Sequence, residues 1–153
     1  MATVTKSRRY RVERNEAFAY LTNPNTWPDY YSGIIQINDA DSATFEQVGD
    51  TVSFTYSLLG RRLEGRATID EIREGELVRH TATIPGLPDV LQTWEYRDAD
   101  SGFSLEVTMT TEESTSFLDK TIDRLVIPRA LQRDVERTLD KLEDVFALGI
   151  PKA

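Results

Sequence analysis

Two polar side chains that stand among apolar ones are the best candidates for chemistry in this sequence. His80 is the only histidine of the chain, and it lies between Val78 and Ala82 in an alternating segment. Its ordinary pKa, about 6.5, suits proton transfer near neutrality. Gln92 occupies the same kind of position in a later segment. Both are therefore candidate ligand contacts, and His80 is the candidate catalytic acid or base.

The alternation around these residues fixes the direction of their side chains. Successive residues of a β-strand point to opposite faces, so His80 and Gln92 share the apolar, inward face with Val78 and Ala82. Burial there would favour the neutral imidazole. A hydrogen-bonded structural role and a ligand contact both remain open for His80 and for Gln92.

Aromatic side chains accompany these polar residues in the inward phase. A packed core explains such residues, but buried tyrosine hydroxyls need hydrogen-bond partners, and a cavity lining explains them equally well. Trp27, Tyr30 and Tyr31 stand in a short helical segment, where we expect them near the mouth of a cavity. The candidate ligand-binding residues are Trp27, Tyr31, Phe54, Tyr56, His80, Gln92, Trp94 and Tyr96.

The sequence contains no complete motif for thiol chemistry, phosphate binding or calcium binding. The chain has no cysteine, so a thiolate nucleophile, a thiolate zinc site and a disulfide are excluded. Gly60, Gly65 and Arg66 imitate a phosphate-binding loop without its Lys and Ser/Thr, and their place in a hairpin argues against one. Asp98, Asp100 and Gly102 open like a calcium loop but lack its final Glu, which indicates a turn. We expect no metal and no cofactor.

Charge and hydropathy narrow the partners further. The 153 residues carry 18 Lys and Arg against 26 Asp and Glu, a net charge of -8. This is the wrong sign for nucleic acid or an anionic membrane surface. Without a signal-like amino terminus or a run of about 18 apolar residues, we expect a cytoplasmic location and no stable membrane insertion. Lacking a linker or repeat, residues 1–153 are expected to form a single domain, as a monomer or a homodimer.

Period-two segments separated by turn residues fill most of the chain. The predicted strands are residues 3–12, 34–38, 48–59, 63–69, 77–84, 90–97 and 103–109. Gly60, Glu74-Gly75-Glu76 and Asp98 to Gly102 supply turns between neighbouring strands. This spacing is typical of an antiparallel meander.

Helical periodicity appears at both ends of this strand region. Asn15 is the expected cap of a short helix that ends before Pro24, and a second short helix covers Asn25 to Tyr31. Near the carboxy terminus, Pro128 to Leu148 forms a long amphipathic helix, and Ser116 to Val126 is also compatible with a helix. The apolar stripe of the long helix is Leu131, Val135, Leu139, Leu142, Val145 and Phe146. Asp134 belongs to its polar remainder.

The order of these elements resembles the helix-grip fold of the START-like (SRPBCC) superfamily. The likeness to its bacterial polyketide cyclase/dehydrase and lipid-transport family covers nearly the whole chain. It is carried by the segments Ala17 to Pro24, Trp27-Pro28, Val48 to Val52, Trp94-Glu95-Tyr96 and Arg129 to Glu143. The resemblance implies an α+β fold in which a curved antiparallel sheet of about seven strands wraps the long helix and leaves a cavity between them.

Two functions are compatible with this resemblance. The first is binding of a hydrophobic or aromatic small molecule, lipid-like or polyketide-like, inside the cavity. The second is a cyclase/aromatase or dehydratase reaction in the same cavity, with His80 as acid or base. A regulatory or protein-interaction domain is a third reading. No pair of inward carboxylates and no inward Arg or Lys is visible, which favours binding over catalysis.

Overall fold

The computed structural model describes residues 2–58, 60–111, 126–147 and 149–150, and for residues 126–128 only the backbone. Seven strands and three α-helices lie in these ranges. The strands are β1 Ala2–Tyr10, β2 Ile34–Ile37, β3 Thr51–Leu58, β4 Arg61–Arg73, β5 Leu77–Thr83, β6 Val90–Ala99 and β7 Gly102–Thr111. The helices are α1 Arg14–Leu21, α2 Trp27–Tyr30 and α3 Val126–Phe146, and a 3-10 turn, Pro24–Thr26, precedes α2. The predicted α+β class and element order are confirmed.

All seven strands belong to one antiparallel sheet. The order across it is β1-β7-β6-β5-β4-β3-β2, so β2 to β7 form a meander and the first strand, β1, pairs with the last, β7. Inward residues of neighbouring strands face one another in register. His80 pairs with Ile69 on one side and Gln92 on the other, and Gln92 pairs with Met109. The two polar residues singled out in the sequence are thus direct cross-strand neighbours.

The concave face of the curled sheet packs against α3, which gives the helix-grip fold. At about 1.5 Å per residue, α3 is roughly 31 Å long. Its buried side chains are Leu131, Val135, Thr138, Leu139, Leu142 and Phe146, and Val145 is partly buried. The predicted stripe is therefore confirmed, with Thr138 as an additional member. Of the helical segment predicted for Ser116 to Val126, residues 116–125 lie outside the described residues. The described part of α3 begins at Val126.

Both short helices begin at other residues than predicted, since α1 starts at Arg14 and α2 at Trp27 rather than Asn25. The N-cap of α1 is Glu13, whose carboxylate accepts a hydrogen bond of 2.9 Å from the backbone N–H of Glu16, so the prediction of Asn15 was wrong. Asn15 lies within the first turn of α1 instead. The carboxylate of Glu13 reaches the N–H of the third helical residue, one of the unpaired amides at a helix start, so α1 begins two residues earlier than a cap at Asn15 would place it.

None of the described helices is long and apolar enough to cross a membrane.

Candidate functional site

A cavity of about 140 Å³ lies between the concave face of the sheet and the amino-terminal half of α3. An engineered apolar cavity of about 150 Å³ stays dry and binds benzene, so this volume suits a molecule about one ring in size. Most of the lining side chains are aliphatic or aromatic. The lining residues are Tyr31, Ser32, Ile34, Phe54, Tyr56, Leu58, Ala82, Ile84, Leu87, Pro88, Val90, Gln92, Met109, Thr111, Ala130, Leu131, Asp134 and Thr138.

Two glycines make room for the aromatic rings of this lining. Gly33 has a φ of +95°, and a Cβ built on it would lie 2.3 Å from Cε2 of Tyr56. Gly65 stands opposite Phe54 in the sheet, and its Cβ would lie 2.7 Å from that ring. Because real Cβ atoms do not approach so closely, each ring can lie across the backbone only where the residue is glycine.

One polar cluster lines the cavity at α3. The carboxylate of Asp134 accepts hydrogen bonds from the hydroxyl of Tyr56 and, at 3.5 Å, from the hydroxyl of Ser32. The backbone N–H of Ser32 donates to Oγ1 of Thr138 at 3.0 Å. The segment after α2 is therefore tied to α3 by two successive turns of the helix, which fixes where the carboxylate lies.

Burial changes the protonation equilibria in this cluster. Removal from water raises the pKa of Asp134, and this effect exceeds the opposing contributions of the Tyr56 hydrogen bond and of Arg137, Ser32 and Arg133. Burial also raises the pKa of Tyr56, and the adjacent Asp134 raises it further. The tyrosine therefore keeps its proton and acts as the donor of the pair.

A second polar cluster lies on the sheet. Oε1 of Gln92 accepts hydrogen bonds from the hydroxyl of Tyr31 at 2.6 Å and from Nε1 of Trp94 at 3.0 Å. Because an indole N–H can only donate, the amide oxygen must be the atom facing Trp94. This fixes the orientation of the amide and leaves its NH₂ group without a hydrogen-bond partner among the described residues.

His80 lies beside this second cluster, behind the cavity wall. Its Nε2 is 3.4 Å from the hydroxyl of Tyr31, which already donates to Gln92, so Nε2 is the protonated nitrogen of the ring. Nδ1 is buried without a partner among the described residues. Burial lowers the pKa of His80 to about 4, so the imidazole is neutral at neutral pH, in the direction that the sequence predicted.

The structure divides the predicted site residues between two spaces. Phe54, Tyr56, Gln92 and Tyr31 line the main cavity. The others, His80, Trp94, Tyr96 and Trp27, line a neighbouring space of about 10 Å³ that Tyr31 separates from it. Ligand contact by these eight residues, and catalysis by His80, stay predictions.

The aromatic residues expected near a mouth are instead buried. Trp27 is 2% exposed and Tyr30 is 1% exposed. Nε1 of Trp27 and the hydroxyl of Tyr30 both donate to the backbone oxygen of Leu21, at 3.0 and 2.7 Å. These bonds hold α2 against α1 and explain why both polar groups point inward.

Among the lining residues that were not predicted from the sequence are two polar side chains of α3, Asp134 and Thr138. Asp134 was assigned to the polar side of the helix by residue type, and Thr138 was assigned to neither side. Their positions contain the missing signal, because Asp134 follows Leu131 by three residues and Thr138 follows Leu131 by seven, spacings that belong to the buried stripe. A polar residue at such a spacing points into a core or a cavity.

Comparisons with known proteins agree with this geometry. Residues 1–147 match the model of the family described as polyketide cyclase / dehydrase and lipid transport. No curated protein matches the chain.

Several solved structures share the fold. TTHA0849 from Thermus thermophilus is 16% identical, with a TM-score of 0.76 over 95% of this chain and 98% of its own. CV1439 from Chromobacterium violaceum is 15% identical, with a TM-score of 0.73 over 99% and 100%. The di-domain ARO/CYC StfQ from the steffimycin biosynthetic pathway is 14% identical, with a TM-score of 0.73 over 94% of this chain and 49% of its own.

At these identities the structural likeness establishes the fold, and the match over residues 1–147 establishes the family. The predicted helix-grip fold and its START-like (SRPBCC) resemblance are thereby confirmed. The chain belongs to the polyketide cyclase/dehydrase and lipid transport family.

Proposed function

We propose that this protein binds a small hydrophobic or aromatic molecule in the cavity between the sheet and α3. The observation that carries the proposal is the cavity itself, about 140 Å³ of space in a lining that is mostly apolar. Burying apolar ligand surface there contributes about 25 cal/mol per Å². The few polar groups of the lining orient the molecule rather than supply most of its affinity.

The family and the fold neighbours support the same proposal. One neighbour is a two-domain ARO/CYC protein of a biosynthetic pathway, and the family description includes lipid transport. Both descriptions concern molecules with extensive apolar surface. The size of the cavity favours a compact ligand over a long acyl chain.

Binding is favoured over a reaction driven by His80. The imidazole faces Tyr31 behind the wall of the main cavity, and its lowered pKa makes it a poor base near neutrality. These two observations support binding over the cyclase/dehydratase alternative, which would require His80 to contact the ligand and to act as a base near neutrality.

A cavity-filling substitution tests the proposal. Ala82 lines the cavity, whereas its neighbour Thr83 is exposed on the opposite face of β5. Ala82→Phe should reduce the affinity for toluene by about tenfold or more, because its ring occupies the space of the ligand. Affinities are measured by NMR titration of the backbone amides.

The matched control is Thr83→Phe, which adds the same ring to the outer face and should leave toluene affinity unchanged. Toluene that fails to bind the wild-type protein, or that binds Ala82→Phe as tightly as wild type, would refute binding in this cavity.

A further inference from the structure

The two polar clusters of the cavity have opposite hydrogen-bonding character. At α3, the carboxyl oxygens of Asp134 are acceptors, already held by Tyr56 and Ser32. On the sheet, the part of Gln92 left for a ligand is its NH₂ group, a donor. A molecule in the cavity thus meets an acceptor on the helix side and a donor on the sheet side.

The relative position of these groups is fixed by two consecutive residues. The hydroxyl of Tyr31 donates to Gln92, and the hydroxyl of Ser32 donates to Asp134. The backbone N–H of Ser32 also binds Thr138 on α3. Because neighbouring residues hold one polar group each, the acceptor and the donor are positioned before any ligand arrives, which lowers the entropic cost of recognition.

The NH₂ group of Gln92 has no partner among the described residues, whereas the carboxyl group of Asp134 has two donors and acceptor capacity left for a ligand. Gln92 is 8% exposed and Asp134 is partly buried, and both border the cavity. A buried polar group without a partner costs about 1–3 kcal/mol, so a ligand atom of the right kind gains where an apolar atom loses. No salt bridge to Asp134 occurs among the described residues.

We infer that the cavity selects compact apolar molecules that carry a hydrogen-bond donor at the Asp134 end and a hydrogen-bond acceptor at the Gln92 end. The donor is a hydroxyl or amine N–H, and the acceptor is a carbonyl or ether oxygen. This inference rests on the proposed function, because it names the chemistry of the ligand that the same cavity binds.

Probes of one ring in size separate the two ends. Toluene offers neither group, phenol adds a donor, aniline supplies the amine form of that donor, and benzaldehyde adds only an acceptor. Affinity for each probe is expressed relative to toluene, so that the loss of cavity shape in a variant cancels. Dissociation constants are measured by NMR titration in wild type, Asp134→Leu and Gln92→Met.

Each variant should affect one class of probe only. Asp134→Leu should lower the phenol-to-toluene and aniline-to-toluene ratios by about 3- to 10-fold, the range expected for one hydrogen bond, and change the benzaldehyde-to-toluene ratio by less than about twofold. Gln92→Met should lower the benzaldehyde-to-toluene ratio by the same factor and leave the donor ratios in place. Met109→Leu, a change in the lining without a polar group, should leave all three ratios unchanged.

The outcomes distinguish this inference from the function beneath it. Toluene binding with ratios that neither variant changes would overturn the inference and leave the binding function standing. Failure of all four probes to bind the wild-type protein would overturn both. Should Asp134→Leu or Gln92→Met fail to fold, Asp134→Ala removes the acceptor without added bulk and Gln92→Glu replaces the NH₂ donor in a side chain of the same shape. Unchanged donor-probe ratios in Asp134→Ala and an unchanged benzaldehyde-to-toluene ratio in Gln92→Glu would equally overturn the inference.

Discussion

The two halves of α3 face the same sheet but meet very different surroundings. In the carboxy-terminal half, Phe146 lies among three aromatic rings, with centroids 5.4 Å away in Tyr10, 5.9 Å in Tyr20 and 6.3 Å in Phe103. The hydroxyl of Tyr10 also donates to the backbone oxygen of Leu139 at 2.8 Å. This end of the molecule is a solid core.

The amino-terminal half of α3 borders the cavity instead. Its lining residues are Ala130, Leu131, Asp134 and Thr138, and the sheet contributes small or aliphatic residues such as Ala82 and Val90. The apolar stripe of the helix continues without a break through both halves. The stripe therefore determines which face of the helix is buried, whereas the volume of the facing side chains determines whether that face meets a core or a cavity.

The largest expected effect tests the solid half. Leu142 is fully buried, and Leu142→Ala should lower the free energy of unfolding by about 2–5 kcal/mol, because it opens a void in a filled region. Leu131→Ala should cost less, about 2 kcal/mol, since Leu131 already borders space. Both values are measured by chemical denaturation.

Arg137→Ala is the control on the exposed side of α3 and should change stability by less than about 0.5 kcal/mol. Equal losses for Leu142→Ala and Leu131→Ala would remove the contrast between the two halves.

The next largest effect concerns His80, which lines the small space beside the main cavity. The pKa of His80 is lowered from 6.5 to about 4 by burial, so the unfolded chain binds a proton more readily than the folded protein between these values. The stability from the neutral, buried imidazole is present above pH 6.5 and is lost as the pH falls toward 4. The loss is on the order of 3 kcal/mol.

His80→Gln removes this titration while an amide can still reach Tyr31. The difference in unfolding free energy between wild type and His80→Gln should therefore change in favour of the variant from about pH 7.5 to about pH 4. A constant difference across this range, or an imidazole that titrates near its ordinary pKa of about 6.5 in an NMR experiment, would contradict the buried position of His80.

The smallest expected effect concerns Asp134, in the half of α3 that borders the cavity. Its effect on stability changes with pH in the opposite direction to that of His80. Burial raises the pKa of Asp134, although Tyr56, Ser32, Arg137 and Arg133 all favour its charged form. The folded protein then holds the proton above the pH at which the unfolded chain releases it. The stability contributed by protonated Asp134 is therefore present below about pH 4 and is lost as the pH rises through the folded pKa.

Asp134→Asn should abolish this loss, so wild type should become less stable relative to the variant between about pH 4 and about pH 7. The change should be smaller than that at His80 because four neighbours oppose the effect of burial. Urea denaturation of the two proteins at both pH values measures it. A difference that stays constant would indicate a water-exposed Asp134, and one that moves in the other direction would indicate a lowered pKa; either result would contradict the effect of burial.

Local sequence patterns determined which segments form strands and helices and which face of each is buried. The alternation of Phe54 and Tyr56 in β3 and of Gln92, Trp94 and Tyr96 in β6 fixes which face each side chain takes, because the strand period is two. The stripe from Leu131 to Phe146 likewise fixes the buried face of α3, because the helical period is about 3.6. Both periods follow from local backbone geometry, so they can be read from a single amino-acid sequence.

Only the tertiary structure decided which inward residues reach the cavity. His80 and Gln92 are cross-strand neighbours on one face, yet Gln92 borders the cavity while His80 lies behind Tyr31, with Trp27 and Phe45 beside its ring. Asp134, polar by type, faces the cavity because Tyr56 and Ser32 arrive from distant segments to bind it. Strand and helix periods state the direction of a side chain, but the curl of the sheet and the volumes of facing side chains determine what that side chain meets.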